Sequence, residues 1–352
     1  MKLLLNKHKI LALFLFIFIL LFLIGCVTKK PDTSTPGKAT TYPAAKTDPN
    51  IEVQIYDSEK AYKGTTLLTD RYRKPRVIEV DMQGKVIWEY VLPFPLRGYI
   101  NPGFDAELLP NGNILIVLPR KGIIEIDREG KTVWTHDDPK ISHDADRLSN
   151  GNTIYVFGDH DEINDAQVKE VNPKGEIVWS WRGKEHFNKP PFLDISNQGW
   201  THTNTVIRLK NGNTLISPRN FNLLVEVDPY GEPVRLIGQN YLRHPHDPVV
   251  LDNGNILVVN QQRPHRAIEI DSKTGEVVWE FPEFDRMNSP VRDVDRLPNG
   301  NTIITGTKKI VEVTPDGKVV WELRYKKFNI RDGLERSRKG FFKAQRIPLS
   351  SL

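Results

Sequence analysis

Short runs of alternating apolar and polar residues recur along the chain, and five of them follow or flank the same turn sequence, Leu-X-Asn-Gly-Asn. Asn-Gly between two such runs is typical of a β-hairpin, and we expect a type I′ turn, whose two central residues both have positive φ. A fixed internal period indicates a repeat protein, because each unit buries its apolar face only against its neighbours. The copies are LPNGNILIV at Leu109, LSNGNTIYV at Leu148, LKNGNTLIS at Leu209, LDNGNILVV at Leu251 and LPNGNTIIT at Leu297.

A second phrase interleaves with the first: a polar residue, a glycine, and then an apolar strand that ends in tryptophan. Six copies at spacings of roughly 42 to 56 residues, each with room for four short strands, are typical of propeller blades. The sequence therefore predicts an all-β fold, a six-bladed β-propeller of four-stranded antiparallel blades. The copies end at Trp88, Trp134, Trp179, Trp279 and Trp321, and Arg235 takes the place of the tryptophan in the remaining copy.

The order of the phrases also predicts how the ring closes. The first blade begins at Gly64 with GTTLLTD, which matches the second strand of the other blades and has no first strand before it. Near the C-terminus, FKAQRIP (Phe342 to Pro348) matches the inner-strand segment HDADRLS (His143 to Ser149) position for position. We expect the C-terminal segment to supply the missing strand of the first blade, so that no sheet edge stays open.

The turns and loops predict which face carries the function. The Asn-Gly turn joins the first and second strands and the Asp-X-X-Gly turn joins the third and fourth, so both lie on one rim of an antiparallel blade. The opposite rim carries the loops between the second and third strands and the links between blades, which are longer, polar and variable in length. Binding and catalytic residues concentrate in such loops, so we expect the functional site on this loop-bearing rim.

The N-terminal part is expected to be a targeting segment. Residues 10–24 form an uninterrupted apolar run after three lysines, which suits a signal peptide and is short for a membrane-spanning helix. The run ends in Leu-Ile-Gly-Cys, which is similar to a bacterial lipobox and makes Cys26 the predicted lipidation site; an uncleaved anchor or an incidental cysteine is the alternative. The predicted domains are a lipoprotein signal peptide at 1–25, a flexible lipid-anchored tether at 26–50 and the propeller at 51–352.

The charge and the cysteine content limit which partners and covalent links the sequence predicts. The formal net charge is +5, and removal of the signal would take away three lysines and leave about +2, too little to indicate nucleic acid. Cys26 is the only cysteine, so no disulfide is predicted. The expected location is the cell envelope, periplasmic or on the outer surface, with the membrane as partner through the lipid anchor. The sequence does not predict whether the protein forms a homo-oligomer.

Each inner strand begins seven residues before the repeat asparagine, at the mouth of the central channel, and we call the residues at this position the slot residues. Residues two apart share a strand face, so His202 points the same way as Asn204. Arg219, in a loop just after a strand, lies on the same rim. Histidines, arginines and an asparagine in one funnel, framed by aromatics, form an anion site by composition. The slot residues are Phe104, His143, Asn204, His246 and Arg292, with Phe342 of the closing strand as the sixth.

The residue after the slot is expected to be structural. An aspartate recurs there in blades that have no slot histidine, which is more typical of a packing role than of a catalytic one. These residues are Asp105, Asp144, Asp247 and Asp293.

Three segments resemble the bacterial arylsulfate sulfotransferase family. WTHTNTVIRLKNGNTLISPRNFNLLVEVD (Trp200 to Asp228) is similar to that family's Trp-X-His-X-Asn-Ser segment, which is followed by Ser-X-Arg before a strand ending in Asp. HPHDPVVLDNGNILVVNQQ (His244 to Gln262) resembles the family's Gln-His-Asp segment with its downstream Asn, and HDADRLSNGN at His143 resembles an earlier His motif. The resemblance extends through most of residues 62–348 and implies a six-bladed propeller.

The resemblance implies a PAPS-independent enzyme that moves a sulfuryl group from a phenolic sulfate ester to a phenol through a sulfohistidine intermediate. It implies that His246 is the nucleophile and that His143, His202 and Arg219 bind the sulfuryl group. A neutral imidazole can attack sulfur and split the transfer into two steps, and a guanidinium offers a planar fork to an oxyanion. No metal ion and no cofactor is expected. The expected substrate-binding residues are Asn204, Arg292, Phe104, Phe342, Asn260 and Trp200, with the aromatic rings stacking on the aryl group.

The chain departs from the family pattern in two places. The predicted tether stands where the best-known members have an N-terminal β-sandwich domain, so their mode of dimerisation is not assumed. Pro245 precedes the candidate nucleophile where a Gln is expected, which leaves His244 as an alternative nucleophile.

Two other functions are compatible with the sequence. DSKTGEVVW (Asp271 to Trp279) resembles repeats of the pyrroloquinoline quinone type, including assembly-factor propellers at the outer membrane. A non-catalytic, lipid-anchored binding or assembly propeller is therefore the main alternative. A zinc hydrolase that uses the three histidines is less favoured, because no Asp or Glu clearly completes the ligand set and Arg219 would repel the cation.

Overall fold

The computed structural model describes residues 45–286, 290–328 and 339–349, which form six antiparallel sheets with almost no helix. Four sheets have four strands and two have five. The predicted all-β, six-bladed propeller is confirmed. The predicted signal peptide, Cys26 and the tether as far as residue 44 lie outside the described residues. Within the three described stretches, no helix is long and apolar enough to cross a membrane.

The strands follow the repeat along the chain. The first half contains β1 (Lys46–Thr47), β2 (Ile51–Tyr56), β3 (Gly64–Asp70), β4 (Arg76–Val80), β5 (Lys85–Val91), β6 (Ala106–Leu108), β7 (Ile114–Leu118), β8 (Gly122–Ile126), β9 (Thr132–Asp137), β10 (Ala145–Arg147), β11 (Thr153–Val156), β12 (Val168–Val171) and β13 (Ile177–Trp181). The second half contains β14 (Thr203–Arg208), β15 (Thr214–Pro218), β16 (Leu224–Val227), β17 (Pro233–Ile237), β18 (Pro245–Val250), β19 (Ile256–Asn260), β20 (Arg266–Ile270), β21 (Val277–Phe281), β22 (Val291–Arg296), β23 (Thr302–Gly306), β24 (Lys309–Val313), β25 (Val319–Tyr325) and β26 (Phe341–Pro348). Short helical turns lie at η1 (Phe94–Leu96), η2 (Gly183–Glu185), η3 (Arg219–Phe221) and α1 (Glu283–Arg286).

The C-terminal strand closes the ring as predicted. In the first blade the strand order is β1-β5-β4-β3-β26, with β26 innermost, and Ala344 pairs with Leu68. In the sixth blade the order is β2-β25-β24-β23-β22, so β2 adds an outer fifth strand. Strand β1, at the end of the predicted tether, pairs with the outer edge of the first blade at Lys85 and Val86. Both ends of the described chain are therefore tied into the first and sixth blades.

The Asn-Gly turns make hairpins, but the predicted type I′ geometry is wrong. In the first copy the Gly112 amide donates to the Leu109 carbonyl at 2.9 Å, and Gly112 has φ of +85°. Asn111 is not among the residues with positive φ, so the loop is a three-residue turn closed by a left-handed glycine. The asparagine after the glycine has its own structural role, because Asn113 donates to the Glu125 carboxylate at 2.7 Å. Equivalent bonds recur at Asn152, Asn213, Asn255 and Asn301.

The repeated tryptophans link neighbouring blades. The Trp88 indole N–H donates to the Arg128 carbonyl of the second blade at 2.7 Å, and Trp321 donates to the Met82 carbonyl of the first blade at 3.0 Å. Trp134, Trp179 and Trp279 make the same kind of bond. Arg235, which replaces the tryptophan in the fourth blade, donates to the Ser272 carbonyl of the fifth at 3.4 Å. Arg235 thus keeps a hydrogen bond between the two blades although the tryptophan is absent.

The inner strands are irregular where the slot residues lie. The pairing register shifts between Thr203 and Val206, between His246 and Val249, between Val291 and Asp293, and between Phe341 and Ala344. A bulge of this kind bends a strand and re-aims its side chains, and bulges are common beside active sites. The same irregularity in four blades turns slot residues and their neighbours toward the central channel.

Candidate functional site

A cavity of about 640 Å³ opens at the loop-bearing rim, and we call it the rim cavity. His143, His202, Arg219 and Arg292 lie in its wall, together with His244. Beneath it the channel narrows to a small pocket lined by slot residues and their neighbours. The rim predicted from loop lengths therefore carries the cavity.

Three histidines from three blades meet at this point. The His143 ring lies 4.8 Å from the His202 ring and 6.1 Å from the His246 ring, measured between ring centroids. The His246 ring also lies 5.5 Å from Phe342 of the closing strand. The structure thus brings together side chains that are about a hundred residues apart in the sequence.

Local contacts fix the orientation of His202. Its Nδ1 lies 2.8 Å from the Gln198 carbonyl oxygen, so Nδ1–H donates and Nε2 keeps its lone pair. Its backbone amide donates to the Asp161 carboxylate at 3.0 Å, and the Thr201 hydroxyl donates to the same carboxylate at 2.8 Å. With φ of +47°, His202 is held in a conformation that residues with a side chain rarely adopt. Asp161, which was not predicted, therefore positions the His202 segment.

His246 is buried and its ring nitrogens are unsatisfied. It is 4% exposed, and neither nitrogen has a hydrogen-bond partner among the described residues. Burial, together with the nearby charges of Arg292 and Lys343, holds its pKa well below the ordinary value. Buried polar atoms without partners are unusual in folded proteins, and a catalytic role is one explanation. The imidazole is thus neutral, with a lone pair available at neutral pH.

The other histidines of the site are also held neutral. Burial lowers the pKa of His143 and His202 well below the ordinary value, and nearby histidines and Arg219 add to the effect. Burial lowers the pKa of His244 to about 4, with Arg219 contributing. His244 has φ of +49° and faces the rim cavity, whereas His246 lies in the pocket beneath it. Both candidate nucleophiles therefore remain at the site.

Arg219 provides a buried positive charge. It begins η3, and its Nη2 donates to the Asn197 carbonyl at 3.0 Å while Nε donates to the Asn220 side chain at 3.2 Å. Burial lowers its pKa to about 10, so it is still charged at neutral pH. No carboxylate of the described residues lies within ion-pair distance of Arg219. Asp159 and Asp161 stabilise its charge from a greater distance, and an anion in the rim cavity would add a direct partner.

On four of the inner strands, the residue that follows the slot residue is an aspartate. We call Asp105, Asp144, Asp247 and Asp293 the carboxylate layer. Lys343 of β26 lies among them, with Nζ 2.6 Å from Asp247 and 3.5 Å from Asp293. The carboxylates also join the inner strands, because Asp144 accepts from the Val206 amide and Asp293 from the Ala344 amide, both at 2.9 Å. These contacts agree with the structural role expected for the recurring aspartates.

Three predicted substrate-binding residues line neither the rim cavity nor the small pocket beneath it. Phe104 is completely buried in the apolar core around Trp88 and Ile347. Trp200 packs edge-on against Phe221, at 5.3 Å between ring centroids. Asn260 accepts from the Arg243 amide at 3.0 Å and donates to the Tyr241 carbonyl at 3.1 Å. Hydrogen bonds and apolar neighbours hold these side chains away from the cavity.

The other predicted residues do line the channel. Asn204, Arg292 and Phe342 surround the small pocket beneath the rim cavity, next to His246. Asn204 donates to the Pro245 carbonyl at 3.0 Å, and its own carbonyl oxygen has no partner among the described residues. The slot positions thus placed five of six side chains correctly.

Two charged residues of the channel were not predicted. The Arg71 guanidinium lies 4.9 Å from the Phe342 ring and donates to the Pro102 carbonyl at 3.0 Å. Aligning LLTDR, which ends at Arg71, with LISPR, which ends at Arg219, would have found it, because both arginines follow a second strand by the same number of residues. Lys343 was signalled by a lysine at the position where other blades have aspartate.

Backbone strain is concentrated at the rim cavity. Seven described residues other than glycine have positive φ, and five of them line this cavity. Such conformations persist only where the surrounding structure imposes them, and they are frequent at functional sites. The five are Arg120, His160, Gln198, His202 and His244. In the described part of the chain, no group of three or more His, Cys, Asp or Glu side chains could hold a metal ion.

Comparison with protein families agrees with this geometry. The model of the arylsulfotransferase family matches residues 41–237, more than half of the chain. The chain belongs to the arylsulfotransferase family. His143, His202 and Arg219 lie inside the matched segment, and His246 lies beyond it. A model described as outer membrane protein assembly factor BamB matches residues 164–339 of this arylsulfotransferase-family chain, and no curated protein matches it.

Solved structures resemble this member of the family in fold. A Bacteroides caccae protein of unknown function matches with a TM-score of 0.56 and 19% identity, over 76% of this chain and 96% of that chain. Virginiamycin B lyase from Staphylococcus aureus matches with a TM-score of 0.47 and 13% identity, over 81% of this chain and 91% of that chain. BamB from Moraxella catarrhalis gives 0.39 and 12%, over 77% and 70%. At these identities the first likeness concerns the fold alone, and the other two are too distant to support an argument.

Proposed function

We propose that this protein is an aryl-sulfate sulfotransferase, which moves a sulfuryl group from a phenolic sulfate ester to a phenol through a sulfohistidine intermediate. The observation that carries the proposal is the convergence of His143, His202 and Arg219 in the rim cavity with His246 in the pocket directly beneath it. Membership of the arylsulfotransferase family supports the reaction class. Neutral imidazoles beside a buried guanidinium offer both a nucleophile and a binding site for the anion.

In the first step a ring nitrogen of His246 attacks sulfur. The N–S bond forms, the bond from sulfur to the phenolic oxygen breaks, and that oxygen leaves with the electron pair. Charge is spread over the sulfuryl oxygens during transfer, so catalysis depends mainly on positioning and on fixed positive groups, as in phosphoryl transfer. Arg219 and Arg292 are the guanidinium groups in the channel wall that supply them.

In the second step the acceptor phenol attacks the sulfohistidine. An O–S bond forms, the N–S bond breaks, and neutral His246 is restored. His202 accepts the phenol proton at Nε2, because its Nδ1 is engaged with the Gln198 carbonyl. Because burial holds the pKa of His202 well below the ordinary value, the proton then passes to solvent, and the phenolate released in the first step is protonated there. His143, whose ring lies 4.8 Å from the His202 ring, binds the sulfuryl group from the same wall of the rim cavity.

The test is transfer of sulfate from 4-nitrophenyl sulfate to phenol. We expect turnover by the wild type and loss of at least about a thousandfold in His246→Ala, because the covalent route is removed. Rapid quenching with 4-nitrophenyl sulfate alone, followed by mass spectrometry of the peptide that contains His244 and His246, should locate the sulfuryl group. His136→Ala is the matched control, because His136 lies on an outer strand and contacts Tyr155.

Two results would contradict this assignment. Turnover that survives His246→Ala but not His244→Ala would move the nucleophile to His244. A folded wild type without turnover over several phenolic sulfates and phenols would favour the alternative function, a non-catalytic binding or assembly propeller. Circular dichroism and thermal unfolding of each variant separate loss of chemistry from loss of fold.

We also infer that the protein is exported and held at the cell envelope by lipid on Cys26. The support is the apolar run before Leu-Ile-Gly-Cys and the single cysteine. Metabolic labelling with a radioactive fatty acid should mark the wild type and not Cys26→Ser. Label that persists in Cys26→Ser, or an unprocessed N-terminus in the wild type, would contradict this anchor.

A further inference from the structure

The wall of the rim cavity is unlike a binding site for a plain aromatic ring. None of the described residues that line it is Phe, Tyr or Trp, and Pro102 and Pro290 are its apolar members. Phe342 lies in the pocket beneath, where its ring already contacts the guanidiniums of Arg71 and Arg292 at 4.9 and 5.2 Å. Aromatic ligands are usually bound against apolar and aromatic side chains. The organic part of the substrate therefore meets a polar wall.

The same wall carries an excess of positive charge. Among the described residues that line it, Arg120, Arg219, Arg263 and Arg292 are cations and Asp159 is the carboxylate. One transferred sulfuryl group is a single negative charge and balances a single guanidinium. Burial lowers the pKa of Arg219 and of Arg292 to about 10, and in Arg292 the nearby Arg219 adds to this effect. The deep arginines thus already supply the charge that the sulfuryl group needs.

Arg120 and Arg263 are the cations that this leaves, and Arg120 is the one with a strained backbone. It lies at the outer part of the cavity, is exposed, and has φ of +63°. Its Nη2 donates to the Asn101 carbonyl at 3.1 Å, and no carboxylate of the described residues lies within ion-pair distance of it. A backbone in a strained conformation presents a guanidinium to the cavity with no internal counter-ion, which is the arrangement expected of an anion-binding group.

We propose that the substrate carries a second anionic group, a carboxylate, phosphate or further sulfate, on the organic part that remains after the sulfuryl group has left, and that Arg120 binds it. This inference rests on the proposed function and names the substrate class of the same site. A cavity of about 640 Å³ has room for more than a phenyl ring, since sites of 300 to 1,000 Å³ hold drug-sized ligands. A simple phenol is then a poor substrate that lacks one of its two charged contacts.

The first experiment compares acceptors that differ in charge and little in size. With 4-nitrophenyl sulfate as donor, kcat/KM for 4-hydroxybenzoate should exceed that for 4-hydroxybenzamide by about tenfold or more. 4-Hydroxyphenyl phosphate is the second arm, and distinguishes a phosphate from a carboxylate as the preferred group. Arg120→Gln should bring the benzoate and benzamide values within about twofold of each other. Arg97→Gln is the control, because this exposed arginine also donates to a backbone carbonyl and lies outside the cavity.

The second experiment measures binding without transfer. In His246→Ala, calorimetry should give a Kd for 4-carboxyphenyl sulfate about tenfold lower than for phenyl sulfate, and Arg120→Gln should remove the difference. Transfer without any preference for the charged compounds would overturn the inference and leave the proposed function standing. Charge-selective binding by a wild type that transfers nothing would support the inference on the ligand and contradict the proposed function. A preference lost equally in Arg97→Gln would also overturn it, because net charge alone would then explain the result.

Discussion

The slot residues and the carboxylate layer occupy neighbouring positions on the inner strands, yet they have different chemistry. The slot residues include His143, His246 and Arg292, whereas the residues that follow the slots are Asp144, Asp247 and Asp293. The first set lines the mouth of the channel, and the second surrounds Lys343 beneath it. On four of the six inner strands, a single step separates a slot residue from an aspartate.

This difference shows how a repeat protein separates structure from chemistry. The position after the slot keeps aspartate in four blades, and its bonds run from one inner strand to the next. The slot itself varies among Phe, His, Asn and Arg, because each blade contributes a different group to one site. A position with a recurring residue supports the ring, and a position with varying residues supplies the function.

The largest loss of stability is expected from removing β26. This strand contributes Phe342 to the slot residues and places Lys343 within the carboxylate layer. A chain that ends at residue 338 leaves β3 as an open edge and exposes Tyr325, whose ring stacks on Phe341 at 4.1 Å. We expect loss of cooperative thermal unfolding, measured by circular dichroism. Adding a peptide of residues 339–349 in trans should restore the transition. A truncated chain that unfolds like the wild type would mean that ring closure does not stabilise the fold.

The next largest effect on stability is expected from Lys343→Met. Burial alone would lower the pKa of Lys343, but Asp247, Asp293 and their neighbours raise it well above the ordinary value. Removing one partner of a buried ion pair costs about 3–5 kcal/mol, because the remaining charges lose their counter-ion. We expect that loss in the free energy of unfolding in urea, whereas Lys318→Met, on the exposed turn rim, should change it by less than about 0.5 kcal/mol.

A rescue variant makes the Lys343 result specific. Adding Asp247→Asn to Lys343→Met should recover part of the lost stability, since the carboxylate nearest to the lysine is then neutral. A loss that the second substitution does not reduce would indicate that packing of the lysine, rather than its charge, stabilises the layer.

The sequence predicted the ring and most of the site because both follow the period of the repeat. Counting back from each Asn-Gly located His143 and His246, and matching FKAQRIP to HDADRLS located β26. Phe104 occupies a slot but turns to the core, because an apolar ring gains more from the cluster around Trp88 than from a polar channel. The repeat pattern does not show which of the two environments, the apolar core or the polar channel, a slot side chain enters.

Other parts of the site depend on contacts that a periodic pattern does not record. Asp161 reaches the His202 amide from a different blade, through a loop that is longer than the equivalent loops of the other blades. The wall of the rim cavity is polar rather than aromatic, and this too depends on loop conformations. The hairpins were predicted from Asn-Gly, but the predicted turn type was wrong, because the loop also includes the residue before the asparagine and only the glycine has positive φ.

A smaller effect is expected from Asp295→Asn, two residues beyond the carboxylate layer. Burial and then Asp293 raise the pKa of Asp295 to about 7. A carboxyl whose pKa is raised in the folded state favours folding most below its unfolded pKa, near 4, and that contribution is lost as pH rises through about 7. Asparagine cannot ionise. The free energy of unfolding of the variant, relative to that of the wild type, should therefore be about 1 kcal/mol higher at about pH 8 than at about pH 5. Exposed Asp252→Asn is the control, and an equal gain at both pH values would contradict a charge effect.

The smallest effect expected is in the pH profile of the donor step, and it sharpens the contrast between the neutral slot histidines and the charged Lys343 beside them. An ordinary histidine nucleophile loses activity below its pKa near 6.5, because the protonated ring has no lone pair. Burial, Arg292 and Lys343 hold the pKa of His246 well below that value, so single-turnover release of 4-nitrophenolate should change by less than about twofold between about pH 8 and pH 5.5. 4-Nitrophenolate leaves without needing a proton, so this step reports the nucleophile rather than the acid. Arg292→Gln removes one of the cations and should move the acid limb to higher pH; a wild-type limb centred near 6.5 would mean that the nucleophile is not held neutral by this site.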